Sequence, residues 1–247
     1  MASLSLFVFF VLSHLLLLHS AEGENRYPPY CSSFHCGNLG INGFPFYNSE
    51  NPSCVGLLDV NCDGKPPTIQ LEWWDRRPYE VINISYTNTT QSTTRIKYLS
   101  LWDHWKARKC EYLTNLTFPS SPSISYEITS PNQTLFKCNR TLHITSPTNF
   151  KNMSCHDDYN IYYSHSNHTP PSSLSKCSII QLPRKEHPDK DELFSLLSAE
   201  FDLKVHVSVA CSSCHGSGGS CELDHEGKFE CKYEYTDNGK SGMFELV

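Results

Sequence analysis

The residues best suited to hold an acidic ligand lie in one window of the 247-residue sequence, from Ile69 to Cys110. This window has seven Lys and Arg residues, four Asp and Glu residues, and all four tryptophans of the chain. Arginine can hold a carboxylate through two parallel hydrogen bonds, lysine supplies a point charge, and an aromatic ring can cover an apolar ligand face. Buried tryptophans and solvated strand cations are equally common in small β domains, so the window alone leaves both interpretations open.

The charge of the chain is unevenly distributed. Residues 1–180 contain 13 basic and 13 acidic residues, whereas residues 181–247 contain 7 and 13, which accounts for the whole net charge of -6. This balance argues against a general nucleic-acid binder. The hydrophobic fraction of 38% predicts a modest core that needs covalent cross-links.

Twelve cysteines supply those cross-links. An even number in a secreted chain predicts a disulfide framework of six bridges, whose pairing the sequence leaves open. A zinc site built from Cys211, Cys214, Cys221, Cys231 and nearby histidines is the weaker alternative, because oxidising compartments favour disulfides. The predicted disulfide cysteines are Cys31, Cys36, Cys54, Cys62, Cys110, Cys138, Cys155, Cys177, Cys211, Cys214, Cys221 and Cys231.

The first 23 residues predict secretion. Leu4 to Leu18 is an apolar run of about 15 residues, too short to span a bilayer, and small residues follow it. We expect a signal peptide over 1–23, with an uncleaved membrane anchor as the alternative. Since no second long apolar stretch follows, the mature chain is expected to be soluble and extracellular.

Seven N-glycosylation sequons support the same compartment, and all lie between residues 83 and 167. They predict a broad solvent-exposed surface in the middle of the chain. The acceptor residues are Asn83, Asn88, Asn115, Asn132, Asn139, Asn152 and Asn167.

The hydrophobic pattern predicts a mainly β protein. Alternation over 68–73, 79–86, 95–102 and 201–209 predicts strands, and a charged first turn after Pro188 predicts one helix ending near Ala199. A Pro/Ser/Thr-rich stretch separates six cysteines from six. We therefore expect two small disulfide-rich antiparallel β domains, 24–145 and 146–247. The second has one short helix and an EGF-like Cys-rich C-terminal end.

Two cysteine motifs resemble a known family. Residues 31–46 read CSSFHCGNLGINGFPF, and residues 211–221 read CSSCHGSGGSC, with Phe229 and Cys231 downstream. The first is similar to the start of the galacturonan-binding domain of plant wall-associated receptor kinases. The second is similar to the Cys-rich C-terminal domain associated with those receptors, in particular the leaf-rust-type receptor-like kinases. The resemblance covers nearly the whole mature chain.

The resemblance implies that the ligand is galacturonan, an acidic cell-wall polysaccharide whose pyranose rings each carry a carboxylate. The candidate binding residues are the cations Arg76, Arg77, Lys97 and Arg108, with Trp74 or Trp105 as the aromatic platform.

Three function classes follow. The first is non-catalytic pectin binding by a receptor-kinase-type ectodomain, with no cofactor or metal. The second is a protein-interaction ectodomain or truncated receptor-like serine/threonine kinase in cell-wall or defence signalling, with a co-receptor as partner. The third is a wall hydrolase, whose acidic residues would leave no local signature. The chain has no kinase glycine-rich loop, HRD or DFG motif.

Overall fold

The computed structural model describes residues 33–48, 56–71, 78–155, 158–165 and 168–233. Within these ranges the chain is mainly β, with several antiparallel sheets and few short helices, as the sequence predicts. The predicted signal peptide, Cys31, Cys54 and Asn167 lie outside the described residues.

Fifteen strands and three α-helices are described, besides four short 3-10 turns. The strands are β1 (Phe34–His35), β2 (Ile41–Asn42), β3 (Phe46–Tyr47), β4 (Leu58–Asn61), β5 (Thr68–Gln70), β6 (Tyr79–Asn88), β7 (Gln91–Tyr98), β8 (Ile124–Ile128), β9 (Asn132–Asn139), β10 (Lys151–Cys155), β11 (Tyr159–Tyr163), β12 (Ser178–Pro183), β13 (Glu200–Val207), β14 (Ser220–Leu223) and β15 (Phe229–Lys232). The helices are α1 (Leu99–Lys106), α2 (Leu193–Leu196) and α3 (Val209–Gly216).

The largest sheet has seven strands in the order β3-β4-β5-β6-β7-β13-β8. All neighbours are antiparallel except β3 and β4. Strand β13 alternates between buried and half-buried residues along its whole length, as expected for a strand with one face on the core. It pairs with β7 on one side and with β8 on the other, so a strand from the second half of the chain completes the sheet of the first half.

A four-stranded antiparallel sheet, in the order β10-β11-β9-β12, packs on the same core. Ile161 and Leu182 of this sheet belong to one hydrophobic cluster with Ile96 and Phe201 of the seven-stranded sheet. A smaller cluster around Tyr162 includes the Cys138–Cys177 disulfide. The domain boundary at 145/146 remains a prediction. Buried residues from both sides of it belong to the same hydrophobic cluster.

Ten of the twelve cysteines form five disulfides among the described residues, and this part of the chain has no free cysteine. The Cys110–Cys155 bridge joins the 3-10 turn that follows α1 to β10 and thus crosses the predicted boundary. The remaining pairs are Cys36–Cys62, Cys138–Cys177, Cys211–Cys221 and Cys214–Cys231.

The hairpin of β6 and β7 shows where the alternation rule fails. Ile82, Ile84 and Tyr86 were expected on one face of a strand, but Ile84 is buried while Ile82 and Tyr86 are 40% and 43% exposed. The register shift between Val81 and Asn83 puts Ile82 out of step with Ile84, whereas Tyr86 stays in step with Ile84 and pairs with Ser92. A β-bulge inserts an extra residue and changes the face on which the following side chains lie.

Two other predicted elements are corrected. The strand expected over 95–102 ends at Tyr98, where α1 begins. The helix expected from Pro188 to Ala199 is only the four-residue α2, because the acidic residues before it form ion pairs with other elements instead of a helical first turn. The strand expected over 201–209 is confirmed as β13. No helix in the described ranges is long and apolar enough to cross a membrane.

Candidate functional site

Helix α1 contains two of the four tryptophans of the basic window, and it places one in the core and one on the surface. Leu101 and Trp105 are one turn apart and are only 5% and 4% exposed. Trp102 and Lys106, also one turn apart, lie on a different face and are exposed. The prediction of Trp105 as an aromatic platform is therefore wrong, because its ring is packed in the core and cannot contact a polymer.

Trp102 is the exposed indole of this surface, with 41% of its area accessible. The ammonium group of Lys97, on β7, lies 5.4 Å from the centre of the indole ring, within cation–π range. Glu80 on the neighbouring strand β6 lies 3.8 Å from the same ammonium group. Lys97 is thus held beside the indole, with part of its charge balanced by a carboxylate.

Arg108 follows α1 in a left-handed backbone conformation with φ of 55°. Its Nη2 donates a 2.7 Å hydrogen bond to Oε2 of Glu192, and both side chains are mostly exposed. The predicted ligand-binding cation therefore already has an internal carboxylate partner. Lys106 and Lys109, on either side of it, are exposed and form no ion pair with another described residue.

The remaining sequence candidates, Trp74, Arg76 and Arg77, lie outside the described residues. They belong to the segment that joins β5 to β6. Strand β6 begins at Tyr79, which pairs with Tyr98, the residue immediately before α1. The chain thus enters β6 at the end of the sheet from which α1 begins. Their part in a common surface with α1 remains a prediction.

We call Lys97, Trp102, Lys106 and Lys109 the α1 surface. It combines an exposed ring with three cations, the combination that carboxylate-bearing sugar rings require. Trp102, Lys106 and Lys109 were not among the sequence candidates. The signal that would have found Trp102 and Lys106 is the four-residue spacing of Leu101 and Trp105, which is typical of a helix with a buried stripe.

An acidic segment near α2 pairs with cations of the sheets. Asp191 accepts a 2.6 Å hydrogen bond from the ammonium group of Lys151, and the other carboxylate oxygen of Asp191 lies 2.6 Å from His165 Nδ1. The bond to Lys151 holds the pKa of Asp191 below its usual range and raises the pKa of Lys151. Together with Arg108–Glu192, these pairs connect part of the acidic last quarter of the chain to residues 1–180, where positive and negative charges are equal in number.

A groove of about 380 Å³ lies elsewhere, between the β3–β5 edge of the large sheet and the C-terminal hairpin. Leu57, Leu71, Ile124 and Leu223 supply apolar walls, and Asp59 supplies a carboxylate. Burial, and secondarily the nearby Asp59 charge, raise the pKa of the Tyr47 phenol in its lining. A carboxylate beside the groove makes it a poor site for an acidic sugar.

The C-terminal Cys-rich end is a disulfide module. Helix α3 is joined to the β14–β15 hairpin by Cys211–Cys221 and Cys214–Cys231, so the cysteines of the alternative zinc pattern are all in disulfide bonds. Among the described residues, no group of three or more His, Cys, Asp and Glu side chains is arranged to hold a metal ion. His215 of α3 stacks on Phe44 at a ring-centre distance of 3.9 Å, and burial lowers its pKa.

Comparison with known proteins supports a carbohydrate ligand. Residues 31–96 match the family model described as wall-associated receptor kinase galacturonan-binding. Trp74, Arg76 and Arg77 lie within the match, whereas α1 follows it directly. The five disulfides and this match indicate an extracellular protein.

A relative that aligns with most of this chain indicates the same group of proteins. Over 222 residues, or 90% of this chain, the sequence is 29% identical to the leaf rust 10 disease-resistance locus receptor-like protein kinase-like 1.1 of Arabidopsis thaliana. The chain spans only 32% of the length of that protein. No solved structure matches. The comparisons thus confirm the resemblance read from the cysteine motifs: the chain contains a region similar to wall-associated receptor kinase galacturonan-binding domains, in a sequence related along most of its length to a receptor-like kinase.

Proposed function

We propose that this protein binds galacturonan in the cell wall, without catalysis, through a surface that includes the α1 surface. The observation that carries the proposal is the match of residues 31–96 to a galacturonan-binding model. The structural support is the exposed Trp102 beside Lys97, one helical turn from Lys106. Arg76 and Arg77, within the matched region, are the further proposed cations.

The chemistry of such binding follows from the polymer. The indole of Trp102 would cover the apolar face of one pyranose ring, while ammonium groups on either side form charge-assisted hydrogen bonds with carboxylates. Because these charges are exposed, their attraction is screened over roughly 8 Å at physiological ionic strength. Binding should therefore weaken with added salt and should require several cations acting together.

The relative suggests the biological setting. A receptor-like protein kinase carries its ligand-binding part outside the cell, and this chain is similar to part of such a protein. We place the protein in cell-wall or defence signalling, as the ligand-binding portion of a membrane-anchored receptor or as a secreted relative of one.

A second candidate function is binding of a protein partner. It is favoured by the groove of about 380 Å³, whose mainly apolar walls come from both the large sheet and the C-terminal hairpin. A protein partner of this groove would be retained by variants of the α1 surface that no longer bind polygalacturonate.

The test compares polygalacturonate binding by the secreted full chain and by three variants, at low and high salt. Trp102→Ala and Lys97→Gln/Lys106→Gln should each weaken binding at low salt by about tenfold, or roughly 1.4 kcal/mol. The matched control is Lys137→Gln, because Lys137 forms a similar cation–π pair with Tyr159, at 4.1 Å, on the other sheet.

Arg76→Ala/Arg77→Ala examines the segment outside the described residues in the same assay. Unchanged binding by all of these variants would overturn the assignment of the surface, and absence of any salt-sensitive binding by the native chain would overturn the proposed function.

A further inference from the structure

A second groove, of about 400 Å³, lies between the edges of the two large sheets. Strand β8 ends the seven-stranded sheet and β12 ends the four-stranded sheet, so each has one side on which no described strand pairs with it. Tyr126 and Ile128 of β8 line one wall, and Ile179 and Gln181 of β12 line the other. Such edges are sites of intermolecular strand pairing unless something covers them.

The wall formed by β12 is open to solvent, and Ile179 is its apolar residue beside the polar Gln181. Ile179 is 57% exposed, although its neighbour Ile180 is buried and pairs with Leu135. An exposed isoleucine on an edge strand has no role in the core. Because exposed hydrophobic edge strands promote intermolecular pairing, a group that packed on Ile179 would protect this edge.

Asn115 lies at this edge and occupies part of it. Its Oδ1 accepts a 2.7 Å hydrogen bond from the backbone N–H of Gln181, and its Nδ2 lies 3.5 Å from the backbone oxygen of Ile179. The side-chain amide therefore binds the outward-facing backbone groups of β12 as a neighbouring strand would. Asn115 is exposed and begins the sequon Asn115-Leu116-Thr117. Asn132, which begins another sequon, also lines the groove.

We propose that Asn115 carries an N-linked glycan whose first sugar residue packs in this groove over Ile179. The apolar face of a pyranose ring suits an exposed aliphatic side chain, and the hydroxyl groups on the other side remain in water. The Asn115 amide, which is held on β12 beside Ile179, would direct the glycan onto the apolar wall.

The transfer is compatible with the observed hydrogen bonds. The donor is a lipid-linked oligosaccharyl diphosphate of the secretory pathway. A bond forms between Asn115 Nδ2 and the anomeric carbon, and the bond from that carbon to the diphosphate oxygen breaks. Nδ2 releases one proton and keeps one hydrogen, so the products are the glycosylated amide, the lipid diphosphate and a proton. The acceptor oxygen Oδ1 is unchanged, so its bond from Gln181 persists in the glycosylated protein.

The glycan would cover both sheet edges and prevent a second molecule from pairing with them. This role differs from ligand binding, because the groove and the α1 surface share no residue. Experiments can therefore contradict the galacturonan proposal without contradicting the glycan proposal. They can equally contradict the glycan proposal alone.

The experiment uses the full chain secreted from a eukaryotic host. Thr117→Ala removes the sequon but keeps Asn115 and its hydrogen bonds, and Thr141→Ala removes the Asn139 sequon as a matched control. Glycopeptide mass spectrometry should show Asn115 occupied in the native chain. Loss of that glycan should increase the binding of an apolar fluorescent dye and increase self-association, whereas Thr141→Ala should change neither.

Two further measurements distinguish packing of the first sugar residue on Ile179 from shielding by the whole glycan. Endoglycosidase trimming to a single sugar residue should keep the low dye binding, because the first residue is the one that covers Ile179. Adding Ile179→Ser to Thr117→Ala should abolish the extra dye binding. An unoccupied Asn115, or equal dye binding and self-association by Thr117→Ala and the native chain, would overturn the proposal.

Discussion

Trp102 and Trp105 are three residues apart, and a single turn of helix gives them different roles. Trp105→Ala should lower the free energy of unfolding by about 3–5 kcal/mol, because it opens a cavity in the core. Trp102→Ala should lower it by less than about 1 kcal/mol, since the ring is largely exposed. Denaturant unfolding of both variants measures the difference. Equal destabilisation would mean that Trp102 is a structural residue and not a platform.

His215 gives a residue-scale prediction for pH. Burial against Phe44 lowers its pKa below the usual 6.5, so the folded protein binds this proton less readily than the unfolded chain does. Its contribution to stability is therefore complete above pH 6.5 and is lost as the pH falls through the folded-state pKa. The melting temperature of the native chain should fall with decreasing pH more steeply than that of His215→Phe. The variant keeps an aromatic ring against Phe44.

The two slopes are compared because His215→Phe removes this imidazole and leaves every other ionisable group in place. Parallel declines for the native chain and His215→Phe from about pH 7.5 to about pH 5 would assign the acid sensitivity to other groups.

The sequence indicated which residue types form the candidate site better than it indicated which individual residues form it. The basic, Trp-rich window was visible from composition, and Lys97 is indeed a partly exposed cation beside an indole. The choice between Trp102 and Trp105 depended on knowing that β7 ends at Tyr98. The pairing of Arg108 with Glu192 spans 84 residues, and no local pattern encodes such a contact.

At the scale of elements, the acidic segment before α2 contacts a cation beside α1 that the proposed ligand would also use. Glu192 bonds Arg108 much as a galacturonate carboxylate would. Glu192→Gln should therefore release Arg108 and strengthen polygalacturonate binding at low salt, by a few-fold at most, because exposed pairs contribute only about 0–1 kcal/mol.

Adding Arg108→Gln should cancel this gain. Glu226→Gln is the matched control, since Glu226 forms a similar exposed pair with Lys228 in the distant C-terminal hairpin. Equal gains from Glu192→Gln and Glu226→Gln would show that net charge alone is responsible.

Strands and helices were predictable from sequence where a single hydrophobic periodicity extended over the whole segment. Strand β13 alternates along its full length and was located correctly from sequence. The prediction for 95–102 was wrong because Ile96 and Tyr98 alternate as in a strand, whereas Leu101 and Trp105 follow helical spacing. Two periodicities overlap there, and a single pattern was extended across both.

At the scale of the whole molecule, the contacts over long sequence distances were beyond prediction. The six-and-six division of the cysteines allows each half to form its own bridges but does not require it. In the fold, Cys110–Cys155 links the two halves, and β13 lies between β7 and β8. Strand order depends on which edges meet in the folded chain, and neither periodicity nor cysteine spacing specifies it.

This topology makes a sharp prediction about truncation. Residues 24–145 alone should not unfold cooperatively, because removing β13 separates β8 from β7 and exposes the core positions that Phe201, Leu203 and Val205 fill. Residues 24–208, which retain β13 and lack the C-terminal Cys-rich module, should remain folded, with a lower melting temperature because the Phe44–His215 contact is lost. Calorimetry of the two fragments and the full chain tests this. A cooperative transition in 24–145 would show that the first half is an independent domain and that β13 only adds to a sheet already formed without it.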